Sequence, residues 1–206
     1  MSRAGILPHV GGDGTHPAMR LARRWVALLG VVMASLAATP ASAEQPARYM
    51  QGVANELMTA ARTGTADAFH QVFRKHADLP SIGLYSLGSY AQSLSNSDRD
   101  PYYSGMIGWI ARYSAQNAPQ YPVAKMVVVG QTEETKAGVY VDTVVSLQSG
   151  SNYDVRWWLI RRGGTFKVGD VNVAGFWGRE ELKRLFEGFI AKNGGNPRAL
   201  VLALNQ

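Results

Sequence analysis

The sequence predicts an α+β fold: a curved four-stranded antiparallel sheet whose concave side faces several helices, a cone with an apolar cavity inside. Three observations predict it. Apolar residues recur at helical spacing from residue 47 to 113. At Pro119 to Pro122 the period changes to two, and four alternating segments follow, joined by short polar or glycine turns. Then Leu182, Leu185, Phe186, Phe189 and Ile190 fall at i, i+3, i+4, i+7 and i+8, and the stripe stops at Gly194–Gly195.

The chain has 206 residues, of which 1–43 read as a signal peptide. Arg20, Arg23 and Arg24 precede an apolar run from Trp25 to Ala38, and Pro40 and Ala41-Ser42-Ala43 follow as a small-residue cleavage site. The run is short for a membrane span, and no Cys adjoins the cleavage site, so a lipid-anchored form is not expected. Met19 would give a conventional start. Residues 44–206 then form one domain, long enough for a core of its own. An uncleaved anchor is the alternative.

The helical part begins with Tyr49, Val53, Leu57 and Ala60 on one stripe over 47–62, broken at Thr63-Gly64. Thr65 caps a second helix over 66–77, with Phe69, Val72, Phe73 and His76 on its apolar side. Its two histidines, His70 and His76, are six apart and on different faces, which does not suit a metal site. Asp78-Leu79-Pro80-Ser81 opens a short helix with Ile82, Leu84, Tyr85 and Leu87 turned inward. Ser95-Asn96-Ser97-Asp98 caps a fourth helix carrying Tyr103, Met106, Ile107, Ile110 and Tyr113. Gly105 and Gly108 on that helix mark close packing against something.

The strands run over 123–133, 139–149, 153–162 and 166–173. Their inward candidates are Val127 and Val129, then Val139, Val141, Val145 and Leu147, then Val155, Trp157 and Leu159, then Phe166, Val168, Val171 and Val173. Trp157 and Trp158 put one indole on each face. Gly169-Asp170 changes the parity of the last strand, the mark of a bulge. Asn196-Pro197 starts a final helix with Leu200, Val201 and Leu204 apolar.

Composition excludes several functions. No Cys occurs, so thiolate zinc sites, disulfides and cysteine nucleophiles are out. Four of the 21 basic and one of the 15 acidic residues precede Glu44, which leaves the domain at net +3. Its basic residues are scattered, and nucleic-acid binding is not expected. There is no phosphate loop, dinucleotide fingerprint, serine elbow or helical zinc motif. The acids that could work are Asp142, Asp154 and Asp170. Asp170 at the bulge is the strongest base candidate, with Tyr90 or Tyr113 as partner, against the plainer reading that it binds backbone amides and fixes the bend.

Apolar wall is what the chain has in plenty. Sequestering an acyl chain needs little else, because each buried methylene contributes about 0.8 kcal/mol and one long chain on the order of 10 kcal/mol. The predicted wall comprises Leu84, Leu87, Met106, Ile107, Ile110 and Tyr113 from the helical middle. From the sheet it takes Val127, Val129, Val141, Val145, Trp157, Leu159, Phe166, Val168, Val171 and Val173. Phe186 and Phe189 of the long helix complete it.

Two segments also carry a family resemblance. VGDVNVAGFWGREELKRLFEGFIAKNGGNPRALVLAL (residues 168–204) is similar to the C-terminal signature of the MlaC (toluene-tolerance, Ttg2D-like) family, a V-x-D-V strand leading through a glycine loop to a helix, a glycine turn and a Leu-rich last helix. Residues 78–121 resemble that family's helical middle, with its Leu-Gly pair (Leu87-Gly88) and aromatic helix. The resemblance implies an NTF2-like domain that carries phospholipid in the periplasm without cofactor or metal, as a monomer. Implied partners are an inner-membrane ABC transporter complex and an outer-membrane lipoprotein–porin complex, and the implied role is membrane lipid asymmetry. The Ala174-Gly175-Phe176-Trp177 turn is bulkier than the family's usual turn, and a branch associated with hopanoid-making bacteria would suit an aromatic pocket. Two other readings stay open: an isomerase or dehydratase with Asp170 or Asp142 as base, and an assembly module that docks through Trp158 and Phe176-Trp177.

Overall fold

The computed structural model of the chain describes residues 41–206, with side chains from residue 45 on. The expected signal segment therefore lies almost wholly outside the described residues. Its last three residues already belong to α1 (Ala41–Thr63), which starts earlier than the apolar stripe shows. Pro46 lies inside this helix, at its sixth residue, and removes one i→i−4 bond there.

Caps set the next helices. The Thr65 hydroxyl accepts from the Ala68 N–H at 3.3 Å and starts α2 (Ala66–His76). The Asp78 carboxylate does the same for Ser81 at 3.3 Å and starts α3 (Leu79–Ser86), with Pro80 in its first turn. After a 3-10 turn at Gly88–Gln92, Ser95 caps α4 (Asn96–Asn117) by accepting from Asp98 N–H at 3.1 Å. The chain ends in α5 (Gly178–Lys192) and α6 (Pro197–Leu204). Gly105 lets α4 and α6 touch: a Cβ there would stand 2.8 Å from the Leu204 Cβ.

Between α4 and α5 runs an antiparallel sheet of sequential strands, β1 (Val123–Thr135), β2 (Gly138–Leu147), β3 (Asn152–Arg162), β4 (Thr165–Val173) and β5 (Phe176–Trp177). The sheet is open and has five strands where the sequence suggests four. β5 folds back on β4, pairing Trp177 with Asn172 and Phe176 with Val173. A two-residue strand has no periodicity to read, and its turn is built on Ala174 and Gly175, both at positive φ (52° and 91°).

A second correction concerns β1. Met126 and Val128 lie opposite Val145 and Thr143 and pack on the face that meets α1, so Val127 and Val129 face outward. Every residue from Met126 to Val129 is apolar, so alternation alone cannot choose the face. In β4, Trp158 pairs with Asp170 and Leu159 with Val168, which leaves Gly169 as the extra residue and puts Val168 and Val171 on one face.

The buried apolar side chains form three clusters. One joins the inner sheet face to α1 through Met50, Val53, Val141, Trp157 and Leu159. Another joins α4, α5 and α6 through Tyr102, Met106, Phe186, Ile190 and Leu204. The third joins α1, α2 and α4 through Ala60, Phe69, Val72 and Ala111.

Candidate lipid cavity

A cavity of about 500 Å³ lies where the three clusters meet, with lining residues from each. α1 contributes Val53 and Leu57, and α2 contributes Val72, Phe73 and His76. Leu79 and Ile82 come from α3, and Met106, Ile107, Trp109, Ile110 and Tyr113 from α4. The sheet supplies Trp157, Val168, Gly169, Asp170 and Val171, and α5 closes the space with Gly178, Arg179, Glu181, Leu182, Arg184 and Leu185. Tyr113 is 56% exposed and Leu185 52%, so the mouth lies between α4 and α5. Arg184 at that rim is paired with Glu181 one turn earlier.

The charged and histidine side chains of the cavity lining are already engaged. Asp170 is 7% exposed. Its Oδ1 accepts the N–H of Val171 at 2.8 Å and of Arg179 at 3.0 Å, and its Oδ2 accepts Arg179 Nε at 3.1 Å. Trp177, at the start of α5, makes no side-chain cap, so the strand's aspartate caps the helix from outside. The Arg179 guanidinium lies between the rings of Tyr85 (4.4 Å) and Trp158 (4.5 Å) on the sheet's outer side. Together these contacts fasten α5, one wall of the cavity, to the bend in β4.

His76, buried in the α2 wall, bridges Tyr49 and Glu56: its Nδ1 is 3.0 Å from the Tyr49 hydroxyl and its Nε2 3.0 Å from Glu56 Oε2. Lys75 donates to the other Glu56 oxygen at 2.6 Å. The Lys75 bond, with His76 beside it, holds the Glu56 carboxyl below its usual range. Burial, helped by the Glu56 charge, pushes the Tyr49 hydroxyl up to about 12. Trp157 is fixed at the cavity wall by donating to Thr143 Oγ1 at 2.9 Å. Among the described residues no group of three His, Cys, Asp or Glu could hold a metal ion.

Of the wall residues expected from sequence, Met106, Ile107, Ile110, Tyr113, Trp157, Val168 and Val171 line this cavity. Val141, Val145, Leu159 and Phe166 are on the same sheet face but lie within the cluster against α1. Leu87 and Phe186 are buried among α3 to α6. Leu84, Phe189 and Val173 are exposed, and Val127 and Val129 are on the outer face. Of the lining residues missing from that expectation, six come from α5 and five from α1 and α2. The stripe on α1 and α2 (Val53, Leu57, Val72, Phe73) is plain in the sequence, but nothing in it separates core from cavity wall.

The enzyme candidates are placed differently. Asp142 is on the outer face, held by both Arg156 nitrogens Nε and Nη2 at 2.8 and 2.9 Å. Asp154 is exposed near the start of β3. Asp170 touches neither Tyr90 nor Tyr113, and its bonds are those of a structural clasp.

Fold and site together define an α+β domain with an apolar cavity between an open sheet and a helical wall. The chain belongs to the MlaC protein family, whose model matches residues 42–206. Among solved structures it is similar in fold to a phospholipid-binding protein from Ralstonia solanacearum, determined in complex with a phospholipid. The TM-score is 0.62 at 18% identity, over 77% of this chain and 94% of that one. No curated protein matches the chain.

Proposed function

We propose that this chain is a periplasmic phospholipid carrier that buries acyl chain in the cavity and leaves the headgroup at the mouth between α4 and α5. The observation that carries the reading is the cavity itself: about 500 Å³ of mainly apolar wall at the junction of three packed clusters. Membership of the MlaC family and the phospholipid bound by the Ralstonia protein support it. Burial of the chain supplies the affinity at about 0.8 kcal/mol per methylene. No covalent chemistry is needed, and the engaged carboxylate of Asp170 argues against its use as a base.

In this reading residues 1–43 direct export, the domain works as a monomer, and it moves lipid between an outer-membrane lipoprotein–porin complex and an inner-membrane ABC transporter. Transfer of a fluorescent phospholipid from donor to acceptor vesicles tests the carrier function. The rate should rise in proportion to added protein. A rate no greater than the spontaneous one contradicts the proposal. A hopanoid in an organic extract of the protein would instead favour the hopanoid-associated branch.

A further inference from the structure

The apolar face of the sheet runs on past the cavity. Trp157 and Val171 are register partners in the cavity wall. Two residues further along the same face lies the row Val155, Val173 and Phe176, joined by the pairing of β3 with β4 and of β4 with β5. Val155 is buried in the sheet cluster, but Val173 is 42% exposed and Phe176 66%. α5 begins at Gly178, where a Cβ would stand 3.3 Å from Val171 Cγ1. Val171 is therefore covered by the helix, and Val173 and Phe176 are left outside it.

The β4–β5 hairpin holds Phe176 in that open position. Its two-residue turn has Ala174 and Gly175 both at positive φ, the kind of loop that matches the twist of a hairpin. For Ala174, which carries a Cβ, φ 52° is an uncommon conformation. Asn172 Oδ1 accepts the Gly175 N–H at 3.1 Å and braces the turn. Trp177 pairs with Asn172 on the outer face, where its ring meets Tyr140 at 6.2 Å. With Trp177 fixed outward, alternation sends Phe176 to the cavity side. There its ring continues an apolar wall that nothing else in the described residues covers, and an acyl chain laid along it would remove that surface from water.

We infer that Val173 and Phe176 form a ledge for acyl chain, a second lipid-contact site outside the enclosed cavity, so that the bound phospholipid is only partly enclosed and lies along the sheet from Val171 to Phe176. The inference depends on the lipid-carrier reading and extends its site to two residues beyond the cavity lining.

The chain has no Cys, so Val173→Cys, Phe176→Cys and, in the β1–β2 turn, Lys136→Cys each take a single bimane label. The labelled proteins are loaded from vesicles of phosphatidylethanolamine with brominated acyl chains, then freed of vesicles by gel filtration, so that any quenching comes from carried lipid and not from a bilayer. Native mass spectrometry confirms the load. Labels at 173 and 176 should lose most of their emission and the label at 136 almost none. In the unlabelled protein, Phe176→Ser should release phosphatidylethanolamine to acceptor vesicles severalfold faster than the wild type, and Phe176→Leu, which keeps an apolar side chain, should stay near the wild-type rate. Lipid bound with the labels at 173 and 176 quenched no more than the one at 136, or Phe176→Ser releasing at the wild-type rate, overturns this inference and leaves the carrier reading standing. Binding of no lipid by the wild type overturns both.

Discussion

Asp170 receives three N–H bonds and carries a charge that Arg179 neutralises. Asp170→Ala removes the cap on α5 and leaves a guanidinium that is only 19% exposed without its partner. The expected cost is about 2–3 kcal/mol in urea unfolding. Asp170→Asn keeps an acceptor for both backbone amides and should cost about half as much. Equal stability of all three proteins would show that the clasp contributes nothing. From sequence the same residue could be base or bend-fixer, because residue type and neighbours are compatible with both. The partner that decides between them, Arg179, lies beyond a turn whose hairpin form leaves no periodic signal.

Tyr49 gives a pH dependence of known sign. Its hydroxyl, pushed up to about 12 in the folded protein by burial and then by Glu56, ionises near 10 when unfolded. The unfolded chain therefore releases its proton first. Stability should be unaffected by this group below pH 10 and fall as pH rises from about 10 to 12. Tyr49→Phe should flatten that limb when urea midpoints at pH 9 and pH 11 are compared. It will not abolish it, because burial also raises Tyr102. An identical alkaline fall in both proteins would contradict the assignment.

Among the elements, helices whose stripe is unbroken and whose cap is a Ser, Thr or Asp appear where periodicity puts them, as α2, α3 and α4 do. The strands whose faces differ in polarity, β2 and β3, are also oriented as alternation predicts. β1 is not, since Met126 to Val129 is apolar on both faces and its register depends on Val145 and Thr143 of β2. Close approach is legible only in part: Gly105 signals contact, but the contacted element is α6, about a hundred residues onward. Gly105→Val would drive a branched side chain into Leu204 and Asn205. It should lower stability by about 1–3 kcal/mol in thermal unfolding, whereas Gly108→Val, which meets only Arg112, should cost less. The reverse order would show that α4 and α6 are not pressed together there.

At the scale of the whole molecule, the distinction that matters is between a filled and an unfilled junction. Periodicity reports which side of an element is apolar, not whether two apolar sides meet. Val145 and Val171 look alike in sequence. One is packed against neighbours in the sheet cluster, and the other lines the cavity. They should therefore respond differently to enlargement. Val145→Trp overpacks a filled core and destabilises the fold, while Val171→Trp fills vacant space. Export is checked by mass spectrometry: the protein recovered from the periplasm should begin at Glu44, and a chain retaining residues 1–43 would contradict cleavage there.

The most direct measurement is the lipid content of the wild type and Val171→Trp, purified from the same membrane-bearing host and compared by native mass spectrometry and organic extraction. Bound lipid is expected on the wild type, with a clear loss of it in Val171→Trp and circular dichroism unchanged. A wild-type protein free of lipid, or a folded Val171→Trp that holds as much lipid as the wild type, would contradict it.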